Sequence, residues 1–281
     1  MPGTNIEFLK RHSLAIGIIL MFLLTWPIDL ANSGLIPIKV PFGVYLLIGY
    51  GIFAASLIMT ALTLGKQGVI ALLKRFLVWR VGWRWYLAAL VLFPATALCG
   101  VLLDAAYRHT SLDFSTVFAH NIFGPSANLP LFVLPFLLVD IITNGEEIGW
   151  RGYVLPRLQR KYSALVSSLI VGVIWALWHL PRFLAPGNSS SFLWFLLKVP
   201  VEAVLYTWLY NNTKGSLWLA ALFHSAGNTA GVFLPVATTV SGANQGALII
   251  QIVLELLIAI GVTAAAGPER LSRTLPKQMQ E

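Results

Sequence analysis

Glu146, Glu147 and Arg151 stand close together in the run from Asn144 to Gly152, and His179, His224 and Asn228 follow in separate apolar stretches. A carboxylate and an imidazole can share a water and take its proton as the water attacks a carbonyl. A second imidazole beside an amide can donate hydrogen bonds to the oxyanion that develops. Spacing divides the labour. Glu147 and Arg151 are four residues apart, on one helical face, which favours an internal ion pair. Glu146 points about a third of a turn away and is assigned to chemistry, with Glu147 and Arg151 in support. His224 and Asn228 share the same four-residue spacing and can act on one ligand.

These groups sit in a chain built for lipid. Of 281 residues, 57% are hydrophobic and 11% charged, and the mean hydropathy is +0.77, outside the range of soluble domains. A helix needs roughly 20 apolar residues to cross about 30 Å of hydrocarbon. Such runs fall near Leu14 to Asp29, Phe42 to Leu64, Tyr86 to Ala106, Leu129 to Thr143 with a polar continuation, Leu165 to Leu180, Phe192 to Tyr210, Leu217 to Leu234 and Ala247 to Ala266. The expected fold is all-α: a polytopic helical bundle of about eight transmembrane helices. Nothing between the runs reads as a soluble linker, so 1–281 is expected to be a single membrane domain. Ionisable side chains at membrane depth are costly and functional by default.

A hairpin turning near Tyr162 puts Glu146 and His179 each roughly 25 Å from the turn, at 1.5 Å per residue, and so at one depth. His224 lies ten residues beyond Lys214, or roughly 15 Å into its own helix. All three levels coincide if the hairpin projects past the bilayer. Pro130, Pro135, Pro156, Pro181 and Pro200 punctuate these segments and introduce kinks that can open a cavity.

The formal charge of +8 is spread over alternate connections rather than gathered on one module, which argues against a nucleic-acid partner and for positive-inside asymmetry. Lys10 and Arg11 precede the first run. Lys66, Lys74, Arg75, Arg80 and Arg84 follow the second, and Arg157, Arg160 and Lys161 the fourth. Lys214 follows the sixth, and Arg270, Arg273 and Lys277 form the tail. The other connections carry mainly Lys39, Arg108 and Arg182. Both termini are expected to be cytoplasmic in a prokaryotic plasma membrane, with the polar cluster opening toward the cytoplasm. Lys66 to Trp85 mixes cations with Trp79, Trp83 and Trp85 and reads either as an interfacial amphipathic helix or as a loop with aromatic anchors. The first run follows a short basic stretch, but no small-residue cleavage site follows it, so it is expected to stay as a span. A single cysteine, Cys99, excludes intrachain disulfides and thiolate clusters.

Each feature alone has an ordinary structural explanation: a surface ion pair, a hydrogen-bonded core histidine, an interhelical asparagine. Their recurrence in separate apolar helices at compatible depths favours one site. In this order they resemble the motifs of the CPBP intramembrane proteases, which include the type II CAAX prenyl endopeptidases and proteins of bacteriocin processing and immunity. Two glutamates and, after three residues, an Arg match Glu146, Glu147 and Arg151. An aromatic four residues before His matches Trp175 and His179, with Trp where Phe is commoner. His with Asn four residues later matches His224 and Asn228. The resemblance spans 129–230, the expected catalytic core, and implies cleavage of a membrane-associated peptide or protein. In the expected mechanism Glu146 and His179 activate water while His224 and Asn228 stabilise the oxyanion.

The cofactor is either none or zinc, for which Glu146, His179 and His224 would be the ligands. The lack of a His-Glu-x-x-His helix leans toward metal-free chemistry. Asp140, Glu202 and Glu255 are read as interhelical hydrogen bonding or cavity lining. They also motivate rivals from other classes: a proton-coupled transporter, against which no repeated half with interrupted helices is found, and a non-catalytic membrane immunity protein.

Overall fold

A computed structural model describes residues 2–41, 43–44, 47–236 and 244–273. Phe42, the expected start of the second span, and Lys277 of the basic tail lie outside them. Among the described residues the protein is all-α with no strand, a multi-pass membrane protein. After a short helix at Pro2–Arg11, the principal helices are α1 (Ser13–Asn32), α2 (Gly49–Lys74), α3 (Trp83–Arg108), α4 (Pro130–Thr143), α5 (Ala164–Trp178), α6 (Phe192–Asn212), α7 (Leu217–Phe233) and α8 (Gln245–Ala266).

Helices thus form at all the expected segments, but the count of about eight spans needs correction. Among the described residues five are long and apolar enough to cross a membrane: α1, α2 with its 3-10 extension, α3, α6 and α8. The others have 14, 15 and 17 residues, and even the longest rises only roughly 25 Å. The physical reason is clearest at α4. It stops at Asn144, and the chain re-enters helix at Glu146 and continues to Gln159. This passage is made of two pieces where hydropathy suggests one.

The bundle is apolar outside and polar within, as expected where lipid is the solvent. Leu23, Leu62, Leu87, Leu134 and Leu257 point outward, whereas Asp29, Glu146, Glu147, Arg151 and Glu255 are buried. α5 packs on α6, and α3 on both α7 and α8. Phe93 of α3 stacks on Phe223 of α7 with centroids 4.1 Å apart. At Gly172 a Cβ would collide with Pro200, so the glycine lets α5 lie directly on α6. Within α2, Gly65 takes φ 66°, ψ −166°, a region open to glycine. The helix therefore breaks there, and Lys66 onward forms its own segment ending in the 3-10 turn Arg75–Leu77. Arg80 lies over Trp79 at 4.9 Å and Arg84 over Trp85 at 5.7 Å, cation–π pairs suited to an interface.

The connections sort to two ends of the bundle. At one end Ser216 Oγ donates to Val78 O (2.5 Å), Asn211 Nδ2 to Arg270 O (2.7 Å) and Ala164 N to Glu269 O (2.9 Å). At the other, Arg182 pairs with Asp29 at 3.2 Å, tying the turn after α5 to the end of α1.

Candidate active site

The break between α4 and the next helical turn fixes the two glutamates. Asn144 leaves helical geometry at φ −83°, ψ 94°, and its Oδ1 accepts from Glu146 N at 3.1 Å. A Cβ on Gly145 would lie 2.8 Å from Gly49 O, and one on Gly149 would collide with Ile52. The glycines bring this segment against α2. Glu146 and Glu147 therefore stand at a helix N-terminus, where the macrodipole favours negative charge. The next residues, Ile148–Val154, wind as a π-helix, a rare wider turn found mostly at functional sites.

The carboxylates then diverge as their spacing requires. Glu146 Oε2 accepts from Trp150 Nε1 (3.2 Å) and from Trp175 Nε1 of α5 (2.8 Å). Glu147 Oε1 meets Arg151 Nη1 at 2.9 Å, the expected ion pair, and also His224 Nδ1 at 2.8 Å. The guanidinium of Arg151 is enclosed by the rings of Tyr206 (3.8 Å) and Trp175 (4.5 Å). Glu147 Oε2 and Arg151 Nη2 are buried without a protein partner. Glu147 is thus more than Arg151's partner, because it also fixes one imidazole.

His179 ends α5, and Pro181 follows it within two residues. Its Nδ1 lies 2.9 Å from Trp175 O. A carbonyl only accepts, so Nδ1 carries the proton and the neutral ring keeps its lone pair on Nε2. Trp178 Nε1 donates to Thr25 Oγ1 (2.7 Å) and Trp26 Nε1 to Trp178 O (3.0 Å). Both bonds clamp the end of α5 against α1 beside His179. The same reasoning applies to His224, whose Nδ1 faces a carboxylate and whose Nε2 is left for a ligand.

Both imidazoles, with Asn228 and Asp140, line a cavity of about 580 Å³ walled by Phe93, Phe136 and Phe195. Glu146 and Glu147 are buried behind this wall rather than in it. Asn228 Nδ2 donates to Asp140 Oδ2 at 3.2 Å and lies 3.3 Å from Oδ1, so Asp140 holds the amide through an interhelical bond. Lys198, Glu202 and Gln251 line the same cavity: Lys198 pairs with Glu202, and Gln251 donates to the buried Glu255 Oε1 (2.8 Å), which also takes Thr96 Oγ1 (3.1 Å). Sequence spacing offered no signal for the Trp175 donor to Glu146 or for the contact between Glu147 and His224, since each crosses between helices; Trp150, four residues after Glu146, has the spacing from which its bond could have been read.

The ligand set considered for zinc is not brought together. Among the described residues no group of three His, Cys, Asp or Glu side chains is placed to hold a metal ion. Glu146 gives one oxygen to two indoles, and His224 Nδ1 is taken by Glu147. Asn121, Ile122, Arg182, Ser191, Val236 and Gln245 line the cavity, and all belong to the end of the bundle opposite the basic connections. Counting roughly 25 Å from the turn near Tyr162 already carries Glu146 and His179 most of the way across.

Residues 125–230 match the family described as Type II CAAX prenyl endopeptidase Rce1-like. The chain is 28% identical over 144 residues to CAAX prenyl protease 2 of Methanococcus maripaludis, covering 48% of this chain and 51% of that protein. It therefore spans about half the length of the curated relative it matches. The match is at the level of the family, and it falls on the segment that carries both glutamates, both imidazoles and Asn228.

Proposed function

We propose that the chain is a CAAX-protease-like intramembrane endopeptidase that hydrolyses a peptide bond in a membrane-associated peptide or protein, with 129–230 as its catalytic core. The observation that carries this reading is the pair of imidazoles in one cavity wall. Each is held through Nδ1, and each has Nε2 left for a ligand.

In this reading an attacking water gives one proton to His179 Nε2 while the second oxygen of Glu146 holds the water by accepting its other hydrogen. His224, oriented by Glu147, presents an N–H at Nε2 when protonated. With the remaining N–H of Asn228 it faces the oxyanion of the tetrahedral intermediate. Arg151 holds Glu147 in place. The proton on His179 then passes to the leaving amine, which completes hydrolysis with water as the only co-reactant. The apolar rings around the cavity suit a hydrophobic peptide.

Comparing membrane-associated peptides with and without the active chain tests the reading. A peptide that accumulates uncut when Glu146→Gln replaces the natural residue is the expected result. Solute flux through reconstituted vesicles that survives Glu146→Gln, with no peptide changed, points to a carrier instead.

A further inference from the structure

We infer that Arg75, Arg157 and Arg160 form a binding site for the phosphate of an anionic phospholipid headgroup, which bridges the end of α2 to the helical segment that carries Glu146 and Glu147. The site lies at the basic end of the bundle and stands apart from the endopeptidase reading.

Two of the three guanidiniums are anchored by neutral oxygens. Arg75, in the 3-10 turn after α2, donates from Nη1 to the hydroxyl of Tyr210 at 2.5 Å. Arg157, in the short helix that follows the π-turn, donates from Nη1 to the carbonyl oxygen of Tyr153 at 2.9 Å and lies 3.6 Å over that residue's ring. Both tyrosines are fully buried, and Tyr153 is itself fixed by its bond to Ser13 O (2.6 Å). The two arginines are therefore positioned and half-buried, yet each spends one N–H there and keeps the rest of its fork.

Packing brings these charges together against their repulsion. A Cβ on Gly152 would lie 2.8 Å from Leu72 Cδ1, so the segment that bears Arg157 runs against the stretch of α2 just before Arg75. Arg157 stands within electrostatic reach of both Arg75 and the exposed Arg160. Elsewhere Arg108, Arg151, Arg182 and Lys198 each meet a carboxylate. Among the described residues no carboxylate comes within ion-pair distance of Arg75, Arg157 or Arg160. A half-buried charge without a partner is unfavourable, and neighbours of the same sign add repulsion. An anion from outside the chain relieves both, and the arginine fork fits phosphate oxygens. Leu77, Trp79 and Trp83, exposed beside Arg75, set the cluster at the depth of the headgroups. A basic pocket between helices takes an anionic lipid there.

Thermal unfolding of the full chain in an uncharged detergent reads the site without any substrate. Added phosphatidylglycerol is expected to raise the midpoint by roughly 5 °C, phosphatidylcholine by much less, and native mass spectrometry should find phosphatidylglycerol retained. Arg160→Gln changes an exposed side chain, so it should keep the lipid-free midpoint and lose most of the rise. Arg75→Gln and Arg157→Gln should lose it too, and the double variant should lose no more than either alone, because one phosphate engages both. Arg80→Gln and Arg84→Gln remove the same charge from the neighbouring connection and should keep the full rise. Equal losses in all of these variants would reduce the effect to diffuse surface charge and overturn the site. A full rise in Arg160→Gln would overturn it as well, whatever the folded yield of the half-buried variants. Losses at Arg75 and Arg157 that simply add would overturn the bridge, and an equal rise with inorganic phosphate alone would overturn the lipid as its source.

Discussion

Each imidazole in the cavity wall has one nitrogen spent on positioning and one left over, and the two differ in what holds them. A backbone carbonyl holds His179 and the side chain of Glu147 holds His224. A carbonyl cannot be mutated away, but Glu147 can. Glu147→Ala should release His224 and strand Arg151, and breaking a buried pair costs about 3–5 kcal/mol. The folded yield of Glu147→Ala and of Arg151→Ala is therefore expected to fall together with activity, read by chromatography of the solubilised protein. Glu146 separates the two effects. Glu146→Ala leaves the indoles of Trp150 and Trp175 without an acceptor, at about 1–3 kcal/mol for each buried donor. Glu146→Gln keeps an acceptor oxygen for them and removes only the charge. Both variants should lose hydrolysis, but Glu146→Gln should retain its folded yield. Full activity of Glu146→Gln on a verified peptide would remove Glu146 from the chemistry. Asn228→Ala takes away one of two donors to the oxyanion, so a loss on the order of a hundredfold in kcat is expected, with residual turnover. Elemental analysis of the purified chain should find substoichiometric zinc. Stoichiometric zinc lost on replacing His179 or His224 would return the metal to the mechanism.

At the scale of elements, the site depends on a helix that stops and restarts. Gly145 and Gly149 bring the restarted segment against α2 so closely that a Cβ at 145 meets the backbone at Gly49 O and one at 149 meets the side chain of Ile52. A side chain can repack and a backbone cannot. Gly145→Ala is therefore expected to lower thermal stability more than Gly149→Ala. Both should fall within or above the about 1–3 kcal/mol typical of overpacking, measured as the midpoint of thermal unfolding in detergent. The reverse order would mean that α2 gives way at Gly49 rather than at Ile52. This is also where the limits of the sequence lie. The pairing of Glu147 with Arg151 was legible because both lie on one helical face. The turn near Tyr162 was legible because basic residues interrupt two apolar runs. The break at Asn144 and the π-turn after Ile148 were not. Hydropathy averages across a polar dipeptide, and a shift from i+4 to i+5 hydrogen bonding leaves no change in residue type. The bond from Trp175 to Glu146 was hidden for a related reason: each residue was visible as part of a motif, but the contact depends on how two helices rotate toward each other.

At the scale of the whole molecule, charge and cavity occupy opposite ends, and this separation follows from the order of the passages. The basic connections precede α3, α5 and α7, so these three helices start at the basic end and finish at the cavity end. His179 closes α5 and His224 and Asn228 lie along α7, all beyond the helix starts, while Glu146 begins the return toward Gln159. Functional groups thus gather far from the charges that orient the chain. The arrangement fixes an expectation for the last described segment as well. The backbone oxygens of Arg270 and Leu271 accept from Asn211 and Asn212 at 2.7 and 2.8 Å, which holds the residues after α8 at the basic end beside the close of α6. A reporter fused to the C-terminus should then lie on the cytoplasmic side. A fluorescent protein that matures only in the cytoplasm is expected to light up, and a phosphatase that folds only after export is expected to stay silent. An active phosphatase at that position would invert the bundle, with the internal geometry of the site left intact.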